Sequence, residues 1–169
     1  NSVGVIVPTS VSDTFNYILI SVKDLSVTGC SQLQPDTATV IVNPLPAANF
    51  GIEEVCLNNS IQFSDSSTVV NTGISSWAWN FGDGSAGAAS QNTVYTYTES
   101  GTFSVKLVVT TTKGCKDSIS KNAIVHPLPA AGFSTLPGIT SVCGSTTFQL
   151  TDTSTLEAPD AIQLWTWDY

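Results

Sequence analysis

Trp79-Asn80-Phe81-Gly82-Asp83-Gly84 is the stretch on which the fold turns. Trp77, Trp79 and Phe81 alternate with Ala78 and Asn80, the period of two that places large apolar side chains on one face of a strand. Two glycines then follow within three residues, which suits a tight turn with Asp83 accepting hydrogen bonds from turn amides. Working outward, Ile61 and Phe63 flank Gln62, and Phe103, Val105, Leu107 and Val109 alternate with smaller or polar residues. Gly, Asn, Asp and Ser clusters separate these runs, so the spacing predicts about seven short strands packed as two sheets. No segment has helical periodicity.

The same string also exposes a repeat. Trp77-Ala78-Trp79-Asn80-Phe81 returns as Trp165-Thr166-Trp167-Asp168-Tyr169, a shift of 88 positions. Phe63-Ser64-Asp65-Ser66-Ser67 returns as Leu150-Thr151-Asp152-Thr153-Ser154 after 87, and the Asn43-Pro44-Leu45-Pro46 step returns as His126-Pro127-Leu128-Pro129 after 83. Upstream, Gly29-Cys30 followed by Ala38-Thr39-Val40 mirrors Gly114-Cys115 followed by Ala123-Ile124-Val125. The expected organisation is therefore the C-terminal half of one sandwich at 1–43, a complete one at 44–126 and the N-terminal half of another at 127–169. The Pro-Leu-Pro steps are stiff joints between them, because proline fixes φ and restrains the residue before it.

Composition sets limits. Only 11% of residues are charged, Met is absent, and the net charge is −8, which repels nucleic acid. No apolar run is long enough for a membrane-spanning helix, and no leader-like start appears at Asn1, so this segment is expected not to insert in a membrane.

Trp79-Asn80-Phe81-Gly82-Asp83-Gly84 closely resembles the Trp-Asp-Phe-Gly-Asp-Gly signature of PKD domains, with Phe63-Ser64-Asp65-Ser66-Ser67 upstream and Tyr95-Thr96-Tyr97 and Gly101-Thr102-Phe103-Ser104-Val105 downstream. Asn80 stands where the family usually has Asp, and Tyr95 where it often has His. The resemblance implies tandem immunoglobulin-like β-sandwiches, the first segment being PKD or a related immunoglobulin-like module. Trp79 and its counterpart Trp167 would plug the space between sheets, with Phe81, Gly82, Asp83 and Gly84 as structural motif residues rather than ligands.

No catalytic set emerges. The only histidine, His126, sits in a joint where the other copy has Asn43, and a general base is not expected there. Glu53 and Glu54 are neighbours on an extended chain and read as solvated. Asp65, Asp83 and Asp117 are the candidate calcium ligands, but no dense Asp-x-Asp-x-Asp series supports a metal site, and no cofactor is expected.

The four cysteines fall into equivalent pairs, Cys56 with Cys143 and Cys115 with Cys30. A Cys56–Cys115 disulfide would close a loop of about 60 residues and stabilise by about 4 kcal/mol in the chain-entropy model. In a plain sandwich, however, the two lie at opposite ends, while a bridge needs Cα atoms within about 7 Å. The intradomain bond is the economical reading, and bonds across joints and free thiols stay open beside it. Thr37 and Ser118, in Asp36-Thr37-Ala38 and Asp117-Ser118-Ile119, resemble the Bacteroidetes O-glycosylation acceptor pattern, and Asn58-Asn59-Ser60 fits an N-glycosylation sequon.

The style of the units is similar to SprB-like gliding-motility adhesins of Bacteroidetes, exported by the type IX system. That resemblance implies an extracellular, cell-surface filament segment. It carries load between an outer-membrane-associated base and a distal tip, with neighbouring repeats, surface glycans or secretion-system proteins as partners. The rival expectation is a spacer or substrate-binding accessory module of a secreted hydrolase of collagenase or chitinase type.

Overall fold

The computed structural model describes residues 12–23, 28–29, 31–135, 144 and 149–168. All regular structure among them is strand. β1 (Thr14–Lys23) and β2 (Ser31–Ile41) form an antiparallel hairpin, and β10 (Phe133–Thr135) pairs with β11 (Leu150–Asp152).

Between them lies one closed sandwich of seven strands. β3 (Phe50–Gly51), β5 (Ser60–Asp65) and β7 (Thr93–Thr96) make a three-stranded sheet in the order β3-β5-β7. β4 (Val55–Cys56), β6 (Ile74–Asn80), β8 (Gly101–Thr111) and β9 (Lys116–His126) make a four-stranded sheet in the order β4-β9-β8-β6. The expected all-β, immunoglobulin-like sandwich with its seven strands is what folds here.

The period of two in the sequence becomes the core. Ile61 and Phe63 of β5 and Phe50 of β3 point inward from one sheet; Trp79, Val105, Leu107 and Val109 meet them from the other. Phe50 meets Trp79 edge-on at 5.2 Å, Phe63 lies 5.8 Å from Trp79 and 5.5 Å from Phe81, and Phe81 stacks on Tyr95 at 4.0 Å. Tyr97 continues the series to Phe103, stacked at 4.1 Å. Aromatic pairs in offset and edge-on geometries add to the gain from burying their area, so this chain of rings is the main cohesive element.

β9 measures the module from end to end. Its first residues lie beside the incoming joint: the Ala48 amide donates to Asp117 at 2.8 Å, and the Asn43 carbonyl is 4.0 Å from the Cys115 sulfur. Its last residues lie beside β4, which runs parallel to it with Val55 opposite Val125 and Cys56 opposite His126. Cys115 and Cys56 are therefore separated by the length of β9, on the order of 36 Å for eleven residues at the usual rise. Both thiols are free, and the intradomain Cys56–Cys115 disulfide is excluded by that distance. Cys30 and Cys143 lie outside the described residues.

Candidate functional site

The glycine turn after β6 holds the most specific residues in the sequence. Gly82 and Gly84 both adopt a φ of 82°, a left-handed conformation that favours glycine. At Gly82 space matters as well, since a Cβ there would sit 2.5 Å from the Ser104 carbonyl oxygen. The polar side chains of the turn all point back into it. Asn80 accepts from the Gly82 amide at 2.9 Å, and Asp83 accepts from the Ser85 amide at 3.0 Å and from the Tyr95 hydroxyl at 2.6 Å. Partial desolvation pushes the Asp83 carboxyl up, but the bonds from Ser85 and Tyr95 outweigh it and hold it below the ordinary value of 3.8. The same bond to Asp83 raises the Tyr95 phenol. Tyr95, standing where the family often has His, thus serves as donor to the turn Asp and as a stacking partner of Phe81.

Trp79 is 3% exposed, and its indole Nε1 donates to the Ser90 carbonyl at 2.9 Å. Trp167 departs from expectation. It is 47% exposed, meets Phe133 edge-on at 5.7 Å, and lines an open groove of about 590 Å³ with Leu164, Trp165, Asp152 and Ser154. The reason is local. Trp79 has the three-stranded sheet facing it, with the rings of Phe50 and Phe63 against its indole. Among the described residues the ring contact of Trp167 is with Phe133 of the two-stranded β10-β11 sheet.

The β10–β11 pair repeats contacts made between β3 and β5. Phe133 stands opposite Asp152 as Phe50 stands opposite Asp65. Ser154 donates its amide to Asp152 at 3.0 Å, as Ser67 does to Asp65 at 3.0 Å. The Ser154 hydroxyl accepts from the Gly132 amide and donates to its carbonyl, the same pair that Ser67 makes with Asn49. Burial pushes the Asp65 carboxyl up, but hydrogen bonds from Ser67, Trp77 and Gln91 together more than offset it; those from Ser154 chiefly lower Asp152.

The three candidate calcium ligands are each committed elsewhere: Asp65 to Ser67 and Gln91, Asp83 to Ser85 and Tyr95, Asp117 to Ala48. Among the described residues no group of three or more His, Cys, Asp or Glu could hold a metal ion. Thr37 on β2 and Ser118 on β9 are both exposed, as is Asn58, which occupies a turn with a φ of 69°.

Sequence reasoning passed over one cluster. At the end of β9, His126 Nδ1 lies 2.9 Å from Asp160 Oδ2 and Nε2 lies 3.1 Å from Glu54 Oε2. Hydrogen bonds to Asp160 and then Glu54 raise the imidazole above its ordinary 6.5. The partners are 34 positions downstream and 72 upstream, so nothing local marked them. Glu54, read as merely solvated, has this contact; Glu53 is exposed.

The family model described as PKD domain matches residues 43–126. Among solved structures the chain is similar to the PKD1 domain of Vibrio anguillarum Epp, with 29% identity over 49% of this chain and 95% of that one and a TM-score of 0.46. It is similar as well to the PKD1 domain of the Vibrio cholerae metalloprotease PrtV, with 30% identity, coverage of 48% and 96%, and a TM-score of 0.45. A structure of carbohydrate-binding modules of the β-sandwich superfamily, described for their promiscuous specificity, shares 26% identity with a TM-score of 0.50. The match spans 56% of this chain and 44% of that one, less than half its length. No curated protein matches the chain.

Proposed function

We propose, from the premise that residues 43–126 of this chain belong to the PKD domain family, that it is a stiff, load-bearing spacer segment of a long extracellular adhesin of the gliding-motility type. PKD domains are typically non-catalytic modules, and in the central domain every signature side chain is turned to internal use: Trp79 and Phe81 in the core, Asn80 and Asp83 in the turn. In this reading 1–43 and 127–169 are parts of neighbouring modules, and the Pro-Leu-Pro joints limit bending between them. Thr37 and Ser118 are surface sites for O-glycosylation. The partners are adjacent repeats of the same chain, with surface glycans or secretion-system proteins beyond them.

One observation carries the load-bearing reading. The chain enters the central domain beside the start of β9 and leaves at its end, while β4 runs parallel to the last residues of β9. Pulling the two joints apart therefore loads the β4–β9 bonds, including Leu57 N–H to the His126 carbonyl at 2.8 Å, along the strands and together rather than one at a time. Behind them β9 is held to β8 by a ladder of paired residues running from Gly101 opposite Val125 to Thr110 opposite Lys116. Single-molecule pulling between the chain ends should give a discrete force peak for the central domain. Leu57→Pro, which deletes that donor, should lower it, and a smooth extension without a peak would discard the proposal.

The second reading, an accessory module of a secreted hydrolase, draws on the likeness to the carbohydrate-binding modules. The central domain's aromatics face inward, which favours a spacer over a sugar platform within that reading. The gene sequence on either side separates the two: further PKD units support the filament, and a hydrolase catalytic domain supports the accessory module.

A further inference from the structure

We propose that the joint after the central domain is a proton-operated lock, in which His126 ties Glu54 of that domain to Asp160 of the following segment and releases it on deprotonation. The inference goes beyond the spacer reading and holds whichever larger protein the spacer serves.

Both ring nitrogens of His126 face carboxylate oxygens, at 2.9 Å and 3.1 Å, from opposite sides of the joint. A neutral imidazole has one N–H and one lone pair, so it can donate to only one of them and turns its lone pair on the other. Only the imidazolium donates to both. Histidine is the side chain whose ordinary titration falls in the physiological range, so the joint is stable or unstable according to a proton that exchanges there.

The surrounding charge makes the proton matter. Glu54 approaches from the segment before β4, and Cys56 is the backbone partner of His126. From the other side come Asp160 and Glu157, the latter accepting from the Ser100 hydroxyl at 3.5 Å; Glu99 lines the adjoining groove with Glu157. β8 contributes only Gly101 and Thr102 to the groove of about 200 Å³ beside His126. No Lys or Arg lines either groove of the joint. Once His126 is neutral, carboxylates from both sides face one another with no positive charge between them.

The sign follows from the direction of the shift. His126 titrates above its ordinary value in the folded chain, so its hold on the joint is complete below that value and is lost as pH rises through the raised one. The joint is therefore closed below the ordinary histidine value, while both carboxylates stay ionised, and opens as pH rises through the raised one. The equivalent residue at the preceding joint is Asn43, which cannot titrate, so that joint carries no such switch.

The chain holds a single histidine, so its imidazole signals in nitrogen-detected NMR need no assignment. The titration midpoint should lie above that of free histidine and shift down in Asp160→Asn and in Glu54→Gln. Amide relaxation should show the central domain and residues 150–157 tumbling as one body near pH 6 and losing their common correlation time near pH 9. His126→Asn, the residue found at the other joint, should abolish that pH dependence while the central domain's own spectrum stays folded. A midpoint at the free-histidine value, a midpoint unmoved by Asp160→Asn, or relaxation identical at the two pH values would each overturn the proposal.

Discussion

The hydroxyl of Tyr97 donates to the backbone carbonyl of Phe81 at 2.8 Å inside the core. Burial raises the phenol well above its ordinary range, so Tyr97 stays a donor at every accessible pH. The bond fastens the residue after β7 to the residue after β6, across the two sheets. Tyr97→Phe keeps the ring stack on Phe103 but strands a buried carbonyl, which costs about 1–2 kcal/mol. A urea melt should show a lower midpoint with an unchanged slope.

Trp79 and Trp167 should respond very differently to truncation. Trp79→Ala empties the centre of a closed core and loses the bond to Ser90, a loss of about 3–5 kcal/mol. Trp167→Ala removes a half-exposed ring and should leave the central domain's melting transition in place. Differential scanning calorimetry of the two variants checks both.

The turn glycines separate strain from crowding. Gly84→Ala meets no atom within 4 Å and pays only for a left-handed backbone, about 1 kcal/mol. Gly82→Ala adds a clash with the Ser104 carbonyl and should destabilise by roughly 2 kcal/mol or more. Chemical denaturation should rank wild type above Gly84→Ala and Gly84→Ala above Gly82→Ala.

Asp83 gives the central domain an acid limit. Its folded carboxyl titrates below the ordinary 3.8, so its contribution is complete above that value and is lost as pH falls through the depressed one. Asp65 shares the sign. Between about pH 5 and pH 2 the urea midpoint should fall in the wild type and fall less in Asp83→Asn, with a residual slope from Asp65.

The thiols should be chemically independent. Cys56 is exposed and Cys115 half-buried, so an alkylating reagent should label Cys56 first. Peptide mapping under non-reducing conditions should find no Cys56–Cys115 link.

Much of this was legible because strand period is local. Ile61, Phe63, Trp79, Val105, Leu107 and Val109 announced their common face by alternation alone, and Gly82-Asp83-Gly84 announced the turn. For the cysteines the strand order supplied the objection to a Cys56–Cys115 bond, and the folded length of β9 decided against it. What escaped reading depends on distant partners. His126 lies in a joint, and only the folded chain brings Glu54 and Asp160 to its two nitrogens. Trp167 matches Trp79 in sequence, yet burial is a property of what covers a residue, and its neighbours differ. Asp83 was expected to bind turn amides, and the bond from Tyr95 came from another strand.

The end-to-end course of β9 also fixes how much chain the central domain keeps out of sight. A folded unit advances the path by on the order of 36 Å, while its 84 or so residues would reach about 290 Å if drawn straight. A unit that gives way under tension thus releases roughly 250 Å of slack. A string of such units would relax a sudden jerk by lengthening at one bead and leave the rest intact.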